Sequence, residues 1–385
     1  MVGNPPFIGA STMRRALGDG YVDAVRMVFK GEVPESADFV MFWWHLAAEK
    51  VRLGQGKAGE PRRFGFITTN SLRQTFNRRV LEPHLNDMKK PLSLVFAIPD
   101  HPWVDAADGA AVRIAMTVGV AGDQQGRLLT SLKEAVTKTD EIKVDFQNRE
   151  GKLFADLKIG ADVASAKPLQ ANLDIANRGV SLFGLGFLVS EEDLENIDRE
   201  GIARLGGVIK PYRNGKDLTQ LPRNLWVIDL FGFSDSEAFV RFPNVYQWIL
   251  DRVKPERDQN NRDARKKNWW LFGEANPKLR DQFAKIERYV VTVETAKHRV
   301  FQFLNSNILP DNKLVNIALE NGYYLGVVAS RIHMLWALAA GGNLGVGNDP
   351  VYVKTRCFET FPFPELSDVQ QVTIGKLAEQ IDEHR

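Results

Sequence analysis

The 385 residues, 44% hydrophobic and 25% charged, suffice for roughly two or three domains with a substantial core. A formal net charge of +2 excludes a globally basic nucleic-acid binder, so any such surface must be local. The single cysteine, Cys357, excludes a disulfide framework and a cysteine-based zinc site and fits a reducing cytoplasm. No apolar run is long enough to span a bilayer, and Pro5-Pro6 stand where a secretory signal would need a basic and then an apolar stretch.

The chain opens on Met1-Val2-Gly3-Asn4-Pro5-Pro6-Phe7, a short apolar lead into Asn-Pro-Pro-Phe. The Asn4 side-chain oxygen and the Pro5 carbonyl can each accept one N–H of an exocyclic aromatic amine, turning its lone pair toward an electrophile. Pro5 and Pro6 fix φ and push each preceding residue out of the helical region, so the acceptors are rigid before a substrate arrives. Phe7 offers a flat face for a base taken out of its stack. An ordinary Asn-Pro turn is the plain alternative.

Residues 8–35 are glycine-rich, charged and weakly patterned, which predicts a long loop with one short helix. Arg14 and Arg15 can meet phosphate there or simply face solvent. Ser36 is expected to cap a helix whose apolar face carries Phe39, Val40, Trp43, Leu46, Ala47 and Val51, with Gly54 as its stop. After a polar turn over 55–63, Phe64–Thr69 reads as a buried strand ended by Asn70-Ser71, and 72–86 as a helix. Leu92–Ile98 and Ala111–Val120 read as strands joined by a turn from Pro99 to Gly109 that carries Trp103. This order predicts an α/β sheet closing in an antiparallel pair. Gly119–Gly126 is a composition shift that suggests a domain boundary, with 123–168 as a bridging segment.

From 169 onward the texture becomes short strands and aromatic-rich loops. Asn172-Leu173 and Gly179-Val180 flank an expected turn, and Ser190 caps a helix through the Ser-plus-acid pattern with Glu191 and Glu192. Gly184-Leu185-Gly186 is the nearest match to a phosphate-binding glycine loop, but Phe187-Leu188-Val189 continues as a strand, so a tight turn is expected. Lys210–Asp217 reads as a loop in which Lys210, Tyr212, Arg213, Asn214 and Lys216 supply cations for phosphate and side chains for base edges. Arg252–Trp270 is the strongest basic stretch, with Arg252, Lys254, Arg257, Arg262, Arg265, Lys266 and Lys267 interleaved with Asn260, Asn261, Trp269 and Trp270. A solvated helix face is its competing reading. Lys297-His298-Arg299 follows a strand at Tyr289–Val293, and no second His or acid stands at ligand spacing, so no metal is expected. Leu325–Ala340 reads as one apolar helix with His333 and Trp336 in the core. Val369–Ile381 reads as an amphipathic terminal helix with apolar positions Val369, Val372, Ile374, Leu377 and Ile381, expected to pack on the body, with pairing to a partner as the alternative.

Together these pieces resemble the adenine-N6 DNA methyltransferases of restriction–modification and phage-defence systems, of the large single-chain type whose target-recognition domain follows the catalytic domain. The likeness rests on Gly3–Phe7, Ala37-Asp38-Phe39 through Trp44, Phe64–Ser71, Lys210–Leu218, Val253–Arg257, Lys297–Arg299 and Cys357–Pro364, and covers essentially the whole chain. It implies the C-terminal half of a Rossmann-like methyltransferase sheet over 1–122, an α+β target-recognition domain over 169–365 and a terminal helix over 366–385. It implies methyl transfer from S-adenosylmethionine to a flipped adenine in double-stranded DNA. Asn4, Pro5, Pro6 and Phe7 would be catalytic. Lys210, Tyr212, Arg213, Asn214, Lys216, Arg262, Arg265, Lys266, Lys267, Lys297, His298 and Arg299 would bind DNA.

One departure stands out. The family carries its cofactor-binding strands and glycine-rich loop before the Asn-Pro-Pro-Phe segment, and here only Met1–Gly3 precede it. The S-adenosylmethionine site is therefore expected to be incomplete in this chain, with an N-terminal methyltransferase half or a partner subunit supplying the rest. Cytosine-N4 methylation is the nearest rival chemistry, but that family places Ser before Pro-Pro, so Asn4 favours adenine. Cytosine-C5 chemistry needs a cysteine nucleophile after a proline, whereas Cys357 lies between Arg356 and Phe358. A non-catalytic DNA-binding or specificity subunit is the alternative of a different class. A fused nuclease lacks a convincing Asp…Glu-x-Lys constellation in this sequence.

Overall fold

The computed structural model describes residues 1–55, 57–103, 112–136, 142–201, 203, 206–344 and 349–384. The chain divides into two units, residues 1–166 with 342–350, and 167–341 with 351–385.

The first unit is built on one sheet of β1 (Val2–Gly3), β2 (Arg63–Thr69), β3 (Leu92–Trp103), β4 (Val112–Ala121), β5 (Gly126–Val136) and β6 (Ile142–Gly151). Its order is β1-β2-β4-β3-β5-β6. β1 runs parallel to β2, and β4 is antiparallel to both β2 and β3, so the expected antiparallel pair is present. β5 is parallel to β3 and β6 antiparallel to β5. Residues 123–166, expected as a bridge, thus supply two strands of this sheet and fall within the first unit. β3 continues through Trp103, past the start of the turn expected at Pro99. The rest of that turn, and Ala111, lie outside the described residues.

The helices of this unit differ from the sequence reading in detail. Residues 8–35, expected mostly as loop, hold α1 (Met13–Leu17) and α2 (Asp19–Val28). Each buries a single side chain, Met13 and Val22, which explains the weak apolar pattern. α3 (Val40–Leu53) begins beyond Ser36, with Phe39 at the N-cap position. Its buried face carries Trp44 and Ala48, while Trp43 and Leu46 turn outward at 47% and 43% exposure. The reason is Phe64. Trp44 meets its ring edge-on at 5.3 Å, and the ring fits because residue 119, directly opposite in β4, is glycine. A Cβ at Gly119 would lie 2.4 Å from the Phe64 ring. Gly119, read as the start of a composition shift at a domain boundary, is a packing requirement of the sheet. α4 (Thr75–Leu85) follows a turn at Asn70–Arg73. It carries His84, whose Nδ1 accepts from Arg52 at 2.7 Å, leaving Nε2 to donate to His45 Nδ1 at 3.0 Å. Burial, then the neighbouring His45 and Arg52, push the His84 imidazole down to about 3.

The second unit holds two mixed or antiparallel four-stranded sheets with helices packed on them. One has the order β13-β9-β10-β8, from β8 (Leu188–Val189), β9 (Ile209–Arg213), β10 (Trp226–Ile228) and β13 (Leu309–Pro310). Val189, Ile209, Val227 and Ile228 pack there with α5 (Glu191–Ile197) through Leu194. Ser190 caps α5 as expected, its hydroxyl accepting the Asp193 N–H at 3.1 Å. The other sheet has the order β12-β11-β14-β7, from β7 (Ala176–Arg178), β11 (Arg288–Val293), β12 (Gln302–Asn305) and β14 (Leu314–Ile317). β7 occupies the place of the expected turn between Leu173 and Gly179.

Two helix expectations are corrected in this unit. The apolar run Leu325–Ala340 breaks at Ser330 into Gly322–Ala329 and Arg331–Ala340, because the Ser330 hydroxyl accepts the His333 N–H at 3.2 Å and starts a new helix. His333 is core, as expected, with Nε2 2.8 Å from the Tyr352 hydroxyl, and burial followed by the nearby Arg299 lowers it to about 3. The terminal helix Asp368–Glu383 packs through Ile374, Gly375 and Ala378 against Gly322 and Gly326, leaving Val369, Val372, Leu377 and Ile381 exposed. Small residues let the two backbones approach, and that contact outweighs the apolar stripe.

Candidate active site and nucleic-acid interface

β1 ends at Gly3, whose neighbour across the parallel ladder is Phe66 of β2. The next residues leave the carboxyl end of that pair, the side of an α/β sheet where ligands bind. Asn4 and Pro6 are exposed and Phe7 is 36% exposed. Among the described residues the Asn4 side chain has no hydrogen-bond partner, so its oxygen is available as an acceptor. The Ile8 N–H donates to the Pro6 carbonyl at 3.2 Å, closing a turn that presents Phe7. The Ile8 carbonyl accepts the Phe39 N–H at 2.9 Å, tying the loop to the start of α3.

The same end of the sheet carries a polar network that the sequence reading passed over. Asn70, buried after β2, donates to Asp100 of β3 at 3.1 Å, and Arg113 of β4 donates to the same carboxylate at 2.6 Å. Arg113 also pairs with Glu134 of β5 at 2.6 Å. These contacts fix the ends of four neighbouring strands. The only sequence signal was polar residues at strand ends, which turns share.

In the second unit Lys210–Asp217 is a strand, a cap and a helix, not a loop. β9 ends at Arg213, and the Asn214 side chain accepts the Lys216 N–H at 2.9 Å while Asp217 accepts the Asn214 N–H at 2.9 Å. The short helix is α6 (Gly215–Thr219), counting from α5. Burial alone would raise the Asp217 carboxyl, but hydrogen bonds from Arg223 and from the Asn214 and Arg223 amides hold it at about 2. Tyr212 is buried and donates its hydroxyl to Asp311 at 2.7 Å; burial and that carboxylate raise its pKa. Lys210 pairs with buried Asp229 at 3.0 Å, and Arg213 donates to the Tyr212 carbonyl and to Asn224. Lys210, Tyr212 and the Asn214 amide are therefore engaged in structure.

Lys216 is different. It lines an open cleft of about 880 Å³ with Lys297, His298, Gln302, Asp311 and Lys313. Fold topology thus brings the Asn214–Lys216 and Lys297–His298 motifs together. Arg299 turns inward, donating to Thr292 Oγ1 at 3.2 Å with its guanidinium over the Tyr352 ring at 5.0 Å, and burial lowers its pKa. Within the basic stretch, Arg252 lies over Trp248 at 3.5 Å, Arg265 over Phe183 at 3.6 Å, and Lys254 pairs with Asp258 at 2.8 Å. Arg257 is buried and donates to the Leu182 carbonyl at 2.9 Å, and Trp269 is core. Arg262, Lys266 and Lys267 remain exposed around the short helix Asp263–Lys267.

Comparison with known proteins bears on this arrangement. A family model described as the MmeI DNA-methyltransferase domain matches residues 1–131, and one described as the MmeI target recognition domain matches residues 165–365, more than half of the chain. The chain belongs to the MmeI family. A solved structure of the type IIL restriction–modification enzyme MmeI in complex with DNA superposes with a TM-score of 0.74 at 20% identity, covering 99% of this chain and 48% of that one, and shares its fold. DNA methyltransferase A of Bacillus subtilis (strain 168) is 22% identical over 95% of this chain and 39% of its own length. The chain thus spans less than half the length of these relatives. The family assignment places Asn4–Phe7 within the methyltransferase match and the lysine cleft within the target-recognition match.

In this MmeI-family chain the glycines at 184–186 form the expected tight turn leading into the strand Leu188–Val189. It is a single 3₁₀ turn whose Gly186 would place a Cβ 2.7 Å from Arg252, and its carbonyl accepts the Trp248 indole N–H at 2.9 Å. Among the described residues, the first unit has no glycine-rich strand-to-helix turn. Among the same residues, no three His, Cys, Asp or Glu side chains group as metal ligands, and no helix is long and apolar enough to cross a membrane.

Proposed function

We propose that the protein methylates the N6 amine of an adenine turned out of duplex DNA, with Asn4–Phe7 holding the target base and the second unit reading the site. The supporting observation is Asn4 itself. Its side chain is exposed and unengaged at the carboxyl end of a parallel strand pair, and it leads into two prolines and a half-exposed phenylalanine. In this role the Asn4 oxygen and the Pro5 carbonyl accept the two N–H groups of the amine. The nitrogen lone pair, otherwise delocalised into the ring, is then held out of the ring plane as a nucleophile. Phe7 stacks on the extruded base and keeps it from re-pairing. S-adenosylmethionine, the donor class that the family's chemistry implies, supplies an electrophilic methyl group when bound; no residue described here is assigned to hold it.

DNA contact in this reading centres on the cleft of Lys216, Lys297, His298 and Lys313, with Arg213, Arg262, Lys266 and Lys267 as further phosphate contacts. Lys210, Tyr212 and Arg299 are held by Asp229, Asp311 and Thr292, Asn214 lines the cleft while capping its helix, and Arg265 lies over Phe183. Incubating the full-length protein with unmethylated duplex DNA and the labelled donor, then analysing nucleosides by mass spectrometry, tests the reading. N6-methyladenine is expected. N4-methylcytosine would overturn the choice of base, and sequence-specific DNA binding without any methylated nucleoside would identify a recognition module alone.

A further inference from the structure

We propose that Asp38 is a positioning residue for the Asn4–Phe7 loop, resting on the reading of Asn4 given above. Its carboxylate joins the loop to both elements that flank the site. Asp38 Oδ1 accepts the Ala10 N–H at 3.1 Å. Its Oδ2 accepts the Ser71 hydroxyl at 2.6 Å and the Asn77 side-chain amide at 2.8 Å. Its own N–H donates to Asn77 Oδ1 at 2.9 Å, and the next N–H, of Phe39, donates to the Ile8 carbonyl at 2.9 Å. Asn77, at the start of α4, is 3% exposed and also donates to the Ser71 carbonyl at 2.9 Å.

The sense of these bonds dictates the residue type. Ala10 N–H, Ser71 O–H and Asn77 N–H are three donors converging on one side chain, and a carboxyl group offers an acceptor oxygen on both sides to meet them. An asparagine in the same place would turn its own NH₂ toward one of these donors and lose that bond. Ser71 follows the carboxyl end of β2, next to the end of β1 from which Asn4 projects. Asp38 therefore sets the far end of the loop against the strand that sets its near end. Loop residues 8–10 are gripped on both sides by residues 38 and 39, and the acceptors at Asn4 and Pro5 are held between that grip and the sheet. Asp38 itself need not touch the base. Its effect is on where the acceptors sit, and it lies in the first unit, whereas the lysine cleft lies in the second.

The test uses the full-length protein and compares Asp38→Asn, Asp38→Ala and Ser71→Ala with Asn4→Ala. Single-turnover methylation, DNA affinity and thermal midpoint are measured for each. Misplacing reacting groups by around an ångström costs about 10²-fold, so Asp38→Asn should slow methylation about 10- to 100-fold. DNA affinity should stay within about twofold, since the cleft is untouched. Ser71→Ala removes one donor without adding a wrong one, so it should slow the step a few-fold and keep the inference testable if Asp38→Ala fails to fold. Wild-type rates in Asp38→Asn and Ser71→Ala beside an inactive Asn4→Ala would overturn the inference. So would a loss of rate matched by an equal loss of DNA affinity or of folded protein. A wild-type rate in Asn4→Ala would overturn the reading of Asn4 and this inference with it.

Discussion

Replacing Lys216 and Lys297 together by alanine tests whether the cleft of the second unit tracks DNA phosphates. Both lysines line the cleft, both are exposed, and among the described residues neither makes an ion pair. Lys313 lines the same cleft but pairs with Glu294 at 3.3 Å, so it would have to leave that partner to reach a phosphate. Each phosphate contact contributes about 0.9 to the slope of log affinity against log salt, so losing two flattens it by about 1.8. Over a fourfold change in salt that is about a tenfold difference in how far affinity falls. Lys313→Ala should add less than a full contact. Fluorescence anisotropy with a labelled duplex from about 50 to 200 mM salt measures the slope. A slope in the double variant within about 0.5 of the parent's would refute the phosphate role and leave the cleft as solvated surface.

Three further outcomes follow from the same geometry. Arg262, Lys266 and Lys267, the cations of the basic stretch that are not packed or paired, should flatten the salt slope by up to about one unit each when changed to alanine; an unchanged slope would make this short helix a solvated face. Gly119→Ala should destabilise the protein by about 1–3 kcal/mol in urea unfolding, because its Cβ would meet the Phe64 ring; a wild-type midpoint would refute the packing account. His84 and His333 lie at about 3 when folded against 6.5 when free, so the unfolded chain takes up their protons first. Stability should be full above pH 6.5 and fall by about 1.4 kcal/mol per pH unit for each histidine down toward pH 3. Replacing each by glutamine should flatten that limb, and a parent profile already flat from pH 7 to 4 would contradict it.

The sequence was most legible where one residue type does one job. Phe64–Thr69 reads as a strand because of its short, largely apolar run, although only Phe64 and Thr68 are buried, and Ser190 announces its helix because a cap hydroxyl and trailing acids have few other uses. It was less legible where a partner far along the chain decides the outcome. The apolar spacing picks Trp43 for the core face, and only Phe64 opposite Gly119 selects Trp44 instead. The terminal helix shows an apolar stripe, yet Gly322 and Gly326 draw in its small residues instead. Tyr212 and Lys210 look like nucleic-acid contacts until Asp311 and Asp229 appear beside them. Asp38 stood out only as part of the Ala37-Asp38-Phe39 motif, and its role was hidden because its three donors come from residues 10, 71 and 77. The cleft was half visible: its motifs stood out separately, and only the fold places Lys216 beside Lys297.

The central claim is that the Asn4 side chain accepts the target amine. Asn4→Ala in the full-length protein, followed by single-turnover methylation and by DNA affinity measured separately, tests it most directly. Losing one preorganised acceptor at a transition state costs about 10²–10³ in rate, so methylation should fall by at least about a hundredfold while DNA affinity is retained. Methylation within about tenfold of the parent would contradict the assignment.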